Sequence, residues 1–542
     1  IAMATISAST PATSSLPNVN PAFMTADECR AWLEAQPLAS TVQMQSLLQR
    51  QLGLLNRTPL PASERLAILE TLREQLYRTQ EECQARFARR PIPLAPPEQA
   101  AYDASQATWR AFADGYIRCL ESLLTGEIAV RNKAAQIIER ILSTLVDMQT
   151  DIYRSSSVPP DEHWHHLHQC IEVAEELGVT IEQVKDRLRN PDLPVSIEST
   201  YAEAFLLHSA SPYELGQRQM AWVARWARRW SSKVSLHESV LEENGPAAPF
   251  FVALDGNAPA THLPLRQGKV RVLDTTGLRR SLKKRLLGLS KGENPASLQL
   301  GEDCTQPATE QLLTRIYGRW CKNITPRKHE RRAGTGNALL SCGIEAAHRL
   351  FLEGRAFQLP GVADFDKLRR EREQMATLGR PVESARLQED NAPAEAEDWK
   401  IVDESANGMR LQRRSGKARV APGMLLTLQI TGVAKPMLAS VRWAVVDSDD
   451  TLEIGVQMIP GQAEALAIGG KPAGAKGLTY ARALLLPPVR ALKEGSSLVL
   501  PSGWFEVGRI LELHDGKVRN VRLGQPLERG RDFDRVTFSE SA

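Results

Sequence analysis

The sequence predicts a multidomain α+β protein. An N-terminal all-α region of helical hairpins, solenoid-like in organisation, is followed by an antiparallel β-barrel and a second small β-barrel or extension of the first. Three observations predict this. Apolar residues recur at intervals of three and four from about Thr25 to His237, the period of a buried helical face. From about Lys400 the period shortens to two, with Gly-, Pro- and Asp-containing turns between short runs. The 542 residues are enough for three or four domains with cores of their own. The expected divisions are 1–24 disordered, 25–240 helical, 241–325 mixed α/β, 326–460 barrel with an insertion at about 352–398, and 461–542 a small β domain.

Composition narrows the class. With 67 basic and 64 acidic residues the net charge is +3, so no global field draws the chain to nucleic acid. The cysteines (29, 83, 119, 170, 304, 321 and 342) are scattered and odd in number, without C-x-x-C, as expected of buried thiols in a reducing compartment. No apolar run approaches eighteen residues, so no transmembrane helix is expected and the expected location is cytoplasmic. Ile1-Ala2 before Met3 reads as a tag remnant. The Ser/Thr/Ala/Pro stretch to Pro21 reads as disordered, lacking the apolar core of a signal peptide.

Each helical element has its own signal. Thr25-Ala-Asp-Glu28 carries capping-box chemistry. Leu47, Leu48, Leu52, Leu54 and Leu55 form a stripe that Pro59 and Pro61 end, and Ser63 is the expected cap of the next helix, which buries Leu66, Leu69, Leu72 and Leu76. Pro91 to Pro97 close that hairpin. A long amphipathic helix is expected from Glu98 to Tyr153, then shorter ones near 161–177, 180–189, 198–208 and 213–236. The series resembles tetratricopeptide arrays in architecture only, since no 34-residue repeat is found. Phe250–Leu254 and Val270–Leu273 read as strands, and 278–289 and 309–322 as helices, the first of them basic.

Two clusters in this half invite chemistry. His163, His165, His166, His168 and Cys170 are dense, but a helix splits them over two faces, against a closed metal site. Trp222, Trp226 and Trp230, interleaved with arginines, read as helix core with arginines at its edge. Stacking on nucleic-acid bases is the alternative, with the basic helix as a second contact.

The motifs that carry most information are Arg327-Lys-His-Glu-Arg331 and Asp403-Glu-Ser405-Ala-Asn-Gly408. The first sets two forked guanidiniums four residues apart on a basic loop, with Lys328 and Arg332 as a competing pair at the same spacing. The second places a carboxylate, a hydroxyl and a glycine in a tight turn between apolar residues. Guanidinium forks suit phosphate oxygens and the Hoogsteen edge of guanine; a carboxylate accepts from guanine N1 and N2. Pro422-Gly423 then turns into Leu426-x-Leu428-x-Ile430, and Val441-Arg-Trp443 precedes Leu452 to Met458.

In this order the motifs resemble the PilZ domains that bind cyclic di-GMP, over roughly 327–460. The resemblance implies a ligand site of Arg327, Arg331, Asp403, Ser405 and Gly408, with cyclic di-GMP as ligand and no cofactor, metal or catalysis. The excess length between the motifs is read as an insertion, with charged Asp366–Gln374 and acidic Glu389–Asp398 inside it. Beyond Pro460, Gly469–Gly477 misses the phosphate-loop spacing and reads as a linker. Ser497–Leu500, Trp504–Leu513, Val518–Leu523 and Val536–Phe538 read as four strands. No hydrolase, metalloprotease or kinase motif is present. The favoured reading is a non-enzymatic bacterial second-messenger receptor whose helical region contacts a protein partner, with a homo-oligomer possible and the family's link to motility and biofilm as its setting. The alternatives are a ligand-free scaffold with a degenerate barrel and, behind it, a nucleic-acid-associated protein.

Overall fold

A computed structural model describes residues 20–36, 40–239, 248–322, 331–353, 355, 357, 359–360, 395–447, 449–472, 477–489 and 494–541. It divides into two units, Ile1–Arg90 with Leu94–Pro326, and Pro91–Pro93 with Arg327–Ala542.

The first unit contains α1 (Ala26–Glu34), α2 (Thr41–Arg57), α3 (Ala62–Gln84), α4 (Pro96–Leu124), α5 (Ala134–Arg154), α6 (Asp161–Leu177), α7 (Ile197–Ser209) and α8 (Gln217–Trp230). A small antiparallel sheet follows, β1 (Ser235–His237), β2 (Phe250–Ala253) and β3 (Val270–Asp274) in the order β1-β3-β2, with α9 (Thr276–Ser290) and α10 (Ala308–Cys321) after it. Residues of the sheet, α9 and α10 join the same apolar core as the preceding helices.

Local chemistry explains the boundaries. The Thr25 hydroxyl accepts from the Glu28 amide at 3.3 Å while the Glu28 carboxylate accepts from the Met24 amide at 2.7 Å, so α1 is capped from both sides. Pro61, not Ser63, is the N-cap of α3. The helix expected over 98–153 is broken by a 3₁₀ turn at Ile128–Lys133. The segment 180–189 is not helical: Val184 bridges to Val195, and Asp186 turns inward to an arginine. The helix expected over 213–236 is shorter, starting after Gly216 and ending at Trp230.

Helix α5 is buried on every side, Gln136 and Arg154 apart, so its polar residues must find partners inside the protein. They do. Arg140 pairs with Glu70 at 2.9 Å and Glu139 at 2.5 Å, and Asp147 is met by Arg189 and Arg228 at 2.9 Å each. Arg73 donates through both terminal nitrogens to the two oxygens of Asp186 at 2.7 Å. Burial works to raise the Asp186 carboxyl, but the Arg73 hydrogen bonds and charge outweigh it and hold the group below the usual carboxylate range. Removing one partner of a buried pair costs about 3–5 kcal/mol. Asp186→Ala is therefore expected to destabilise the first unit by about that much in urea titration; a change below about 1 kcal/mol would show that water solvates Arg73.

The two buried histidines of the cluster are structural. His168 shares a hydrogen bond with the Tyr201 hydroxyl at 2.8 Å and another with the Ala258 carbonyl at 2.9 Å; His163 is bonded to Gln149 at 3.1 Å. Among the described residues no group of three His, Cys, Asp or Glu side chains is placed to hold a metal. The tryptophans of α8 are core. Trp222 donates to Asp303, Trp226 donates to the Leu300 carbonyl and stacks on Trp230, and Arg225 and Arg228 sit at the edge in ion pairs. Their ring faces are thus covered, which removes the stacking half of the nucleic-acid reading.

The second unit holds β4 (Arg332–Ala333), β5 (Asn337–Cys342), α11 (Gly343–Phe351), β6 (Glu397–Ser405), β7 (Gly408–Arg413), β8 (Leu425–Ile430), β9 (Met437–Val446) and β10 (Leu452–Met458). Strands β6-β5-β8-β9-β10-β7 close into a ring through β6–β7, with β4 beside β6. A second closed barrel follows, β11 (Glu464–Gly470), β12 (Thr479–Leu486), β13 (Ser497–Pro501), β14 (Ile510–His514), β15 (Val518–Arg529) and β16 (Phe533–Glu540), in the order β11-β12-β13-β16-β15-β14. Gly469 and Gly470, expected in a linker, lie in β11, where neighbours leave no room for a β-carbon at Gly470. Strands β11 and β12 escape the sequence reading, and β14 starts only at Ile510. Ile344, Ala347 and Phe351 of α11 share one core with Leu425 and Leu438 of the first barrel and Leu484, Val499 and Phe533 of the second. The helix joins the two barrels. Asp366–Gln374 and most of the expected insertion lie outside the described residues.

Candidate functional site

The site is built on β6, the most connected strand of the first barrel. Along one edge β6 pairs first with β5 and then with β4, and along the other it pairs with β7. Asp403 lies opposite Ala333 on one side and Arg410 on the other. This pairing overcomes the sequence distance: Arg331, one residue before β4 and 72 positions from Asp403, donates from Nη1 to Asp403 Oδ1 at 2.9 Å.

A bulge decides which way Asp403 points. Trp399 and Ile401 are buried in the barrel, and strict alternation would send the side chain at 403 after them. The β6–β7 register shifts between Ile401 and Asp403, with Val402 as the extra residue. Asp403 is thereby placed opposite Arg410, whose neighbour Leu411 takes the inward position. Bulges commonly re-aim one side chain at binding sites.

Asp403 is held by two cations. Besides Arg331, Arg410 places Nε 3.2 Å from Oδ2; the contact is an ion pair, because that nitrogen makes no hydrogen bond. Glu453 lies 3.8 Å from Arg410 Nη1. Further around the ring Gly455 faces Arg410 on one side and Trp443 on the other. A β-carbon at 455 would collide with the Trp443 indole, so the glycine lets that half-buried ring lie against the sheet. One cross-strand row thus runs Trp443, Gly455, Arg410, Asp403, with Arg331 at its end. It combines an aromatic face, two guanidiniums and a carboxylate.

The turn residues act through the backbone. The Ser405 hydroxyl donates to the Gly408 carbonyl at 3.1 Å and so ties the ends of the β6–β7 hairpin. Gly408 is a site of close approach: a β-carbon there would strike the Val456 carbonyl oxygen on β10. Gly408→Ala must move β7 from β10, at a cost of about 1–3 kcal/mol; a thermal melt within 1 °C of wild type would refute that role.

Of the residues predicted from sequence, Arg331, Asp403, Ser405 and Gly408 are together at one end of the β6–β7 hairpin. Arg327 and Lys328 lie outside the described residues. Arg332, the alternative to Arg331, is opposite Glu404 in β4, and it is Arg331 that reaches Asp403. Sequence reasoning missed Arg410 and Trp443. Both stand in quoted runs, Met409-Arg-Leu411 and Val441-Arg-Trp443, and a period of two puts Arg410 on the face opposite Leu411. A separate cavity of about 790 Å³ in the first unit is lined by both signs of charge, Arg189, Arg225 and Arg228 against Asp147, Asp151 and Glu302.

Comparison with known proteins matches both ends of the chain. Residues 27–242 match the family described as the N-terminal domain of the cyclic-di-GMP receptor FimW, and residues 469–541 match the FimW C-terminal β-barrel domain. The barrel carrying Arg331 and Asp403 lies between the two matched segments. The chain is thus similar, over these two segments, to the domains described for a cyclic-di-GMP receptor. One similar protein is the cyclic-di-GMP receptor FimW of Pseudomonas aeruginosa, 24% identical over 553 residues, covering 92% of this chain and 88% of that protein. No helix among the described residues is long and apolar enough to cross a membrane.

Proposed function

We propose that the chain is a non-enzymatic cytoplasmic receptor that binds cyclic di-GMP on the outer face of its first barrel. The barrel is read as PilZ-like, with Arg327 and Arg331 as the arginine pair and Asp403, Ser405 and Gly408 as the turn. The observation that carries this is the meeting of Arg331 and Asp403 across the long excursion between them. In the proposed complex Arg331 leaves Asp403 for a phosphodiester or a Hoogsteen edge, and the freed carboxylate oxygen accepts from guanine. Trp443 offers an aromatic face to a purine at the far end of the row. Ser405 and Gly408 keep the hairpin narrow. The helical unit, similar to the FimW N-terminal domain, is the proposed partner-binding region, so that ligand shifts the population of partner-competent molecules.

Calorimetry on the full chain tests the reading. Cyclic di-GMP should bind at micromolar concentration or below, and Arg331→Lys should weaken it because a point charge replaces a fork. Absence of heat with correctly folded protein would favour the scaffold with a degenerate barrel.

A further inference from the structure

We infer that Arg410 is a specificity-positioning residue: it aims the Asp403 carboxylate so that the site accepts guanine and rejects adenine. This rests on the cyclic di-GMP reading of the same face and adds to it a residue that the arginine loop and the acidic turn do not contain.

The two cations on Asp403 are not equivalent. Arg331 stands outside a strand, next to the start of β4, and is attached through a single hydrogen bond to Oδ1. Its backbone is not part of the β4–β6 ladder. Arg410 is in the ladder of β7, paired with Asp403 on β6 and with Gly455 on β10, so its backbone stays with the sheet. Its guanidinium reaches Oδ2, the oxygen that Arg331 does not use. Glu453 on its other side steadies the head group. When Arg331 departs, Arg410 remains as the counter-ion beside Oδ2 and leaves Oδ1 to the ligand.

That division of labour bears on selectivity. Guanine offers two donors, N1–H and N2–H, to a carboxylate, whereas adenine presents an acceptor at N1 and no amino group at C2. An aimed, ionised Asp403 therefore attracts one base and repels the other. The phosphates and sugars of cyclic di-GMP and cyclic di-AMP are the same, so the ratio of the two affinities reports on the base contacts, and its change on substituting Arg410 reports on the carboxylate beside it. A carboxylate that swings freely spends only part of its time correctly placed, and the ratio falls.

The experiment measures both nucleotides by calorimetry on wild type, Arg410→Ala and Arg410→Lys, with melting curves confirming the fold. Wild type should prefer cyclic di-GMP by at least about 100-fold. Arg410→Ala should lower that preference about tenfold or more, chiefly by losing cyclic di-GMP affinity, and Arg410→Lys should fall between. Equal weakening of both nucleotides would mean that Arg410 contacts phosphate or supports the barrel, and would overturn the inference while leaving the receptor intact. An unchanged ratio would overturn it as well. Failure of the wild type to bind cyclic di-GMP would instead remove the receptor reading itself.

Discussion

Asp403→Ala is expected to weaken cyclic di-GMP binding by about 100-fold or more, the largest single effect at the site. Two charge-assisted hydrogen bonds to guanine are lost, each contributing about 1.5–3 kcal/mol. The substitution also removes the counter-ion that Arg331 and Arg410 share, 2.9 and 3.2 Å away. The exposed guanidiniums then attract phosphate somewhat more, which offsets part of the loss and shifts what remains toward salt-sensitive binding. Asp403→Asn should lie between, since the amide keeps one acceptor but adds a donor facing guanine donors. Calorimetry at two salt concentrations separates these terms. If Asp403→Ala bound within threefold of wild type, the ligand would have to sit elsewhere.

Acid should destabilise the helical unit more than most substitutions. Burial pushes His163 down to about 3 and His168 and His208 to about 4, from 6.5. For His163 the charges of His166 and His168 add to the effect. The geometry gives the reason. His163 uses Nε2 toward Gln149, and its buried Nδ1 has no hydrogen-bond partner among the described residues, so a proton there would be unsolvated. A depressed folded pKa means the unfolded chain binds protons first. Stability is complete above about pH 6.5 and falls as pH drops toward 4, by roughly 2 kcal/mol for each such histidine at pH 5. Burial raises Glu139 and Asp151, which opposes part of the loss as pH falls. Urea titrations of the full chain at pH 7 and pH 5, followed by tryptophan fluorescence, should show a clear drop; equal stabilities would mean that water reaches these rings.

The legible parts of the fold were those governed by local rules. The capping chemistry at Thr25, the α6 span and the strands after Pro422-Gly423 follow from side-chain oxygens near amides and from simple periodicity. Segment 180–189 misled because its charged residues look like a helix surface, whereas Asp186 is satisfied by Arg73 more than a hundred positions earlier in the chain. Strand β11 was hidden by composition. Glycine and alanine dominate Glu464–Gly470 because tight barrel packing excludes larger side chains, and such residues read as linker.

At the site, the chain itself supplied the chemical parts: a forked cation before the barrel, a carboxylate two residues ahead of a hydroxyl, and a glycine where the hairpin must be thin. Their meeting belonged to the tertiary structure. Antiparallel pairing of β4 with β6 closes a gap of 72 positions that no local pattern spans. One extra residue at Val402 turns Asp403 from the barrel interior to Arg410, reversing the face that alternation alone assigns. Register is a property of two strands together, and neither strand's sequence contains it.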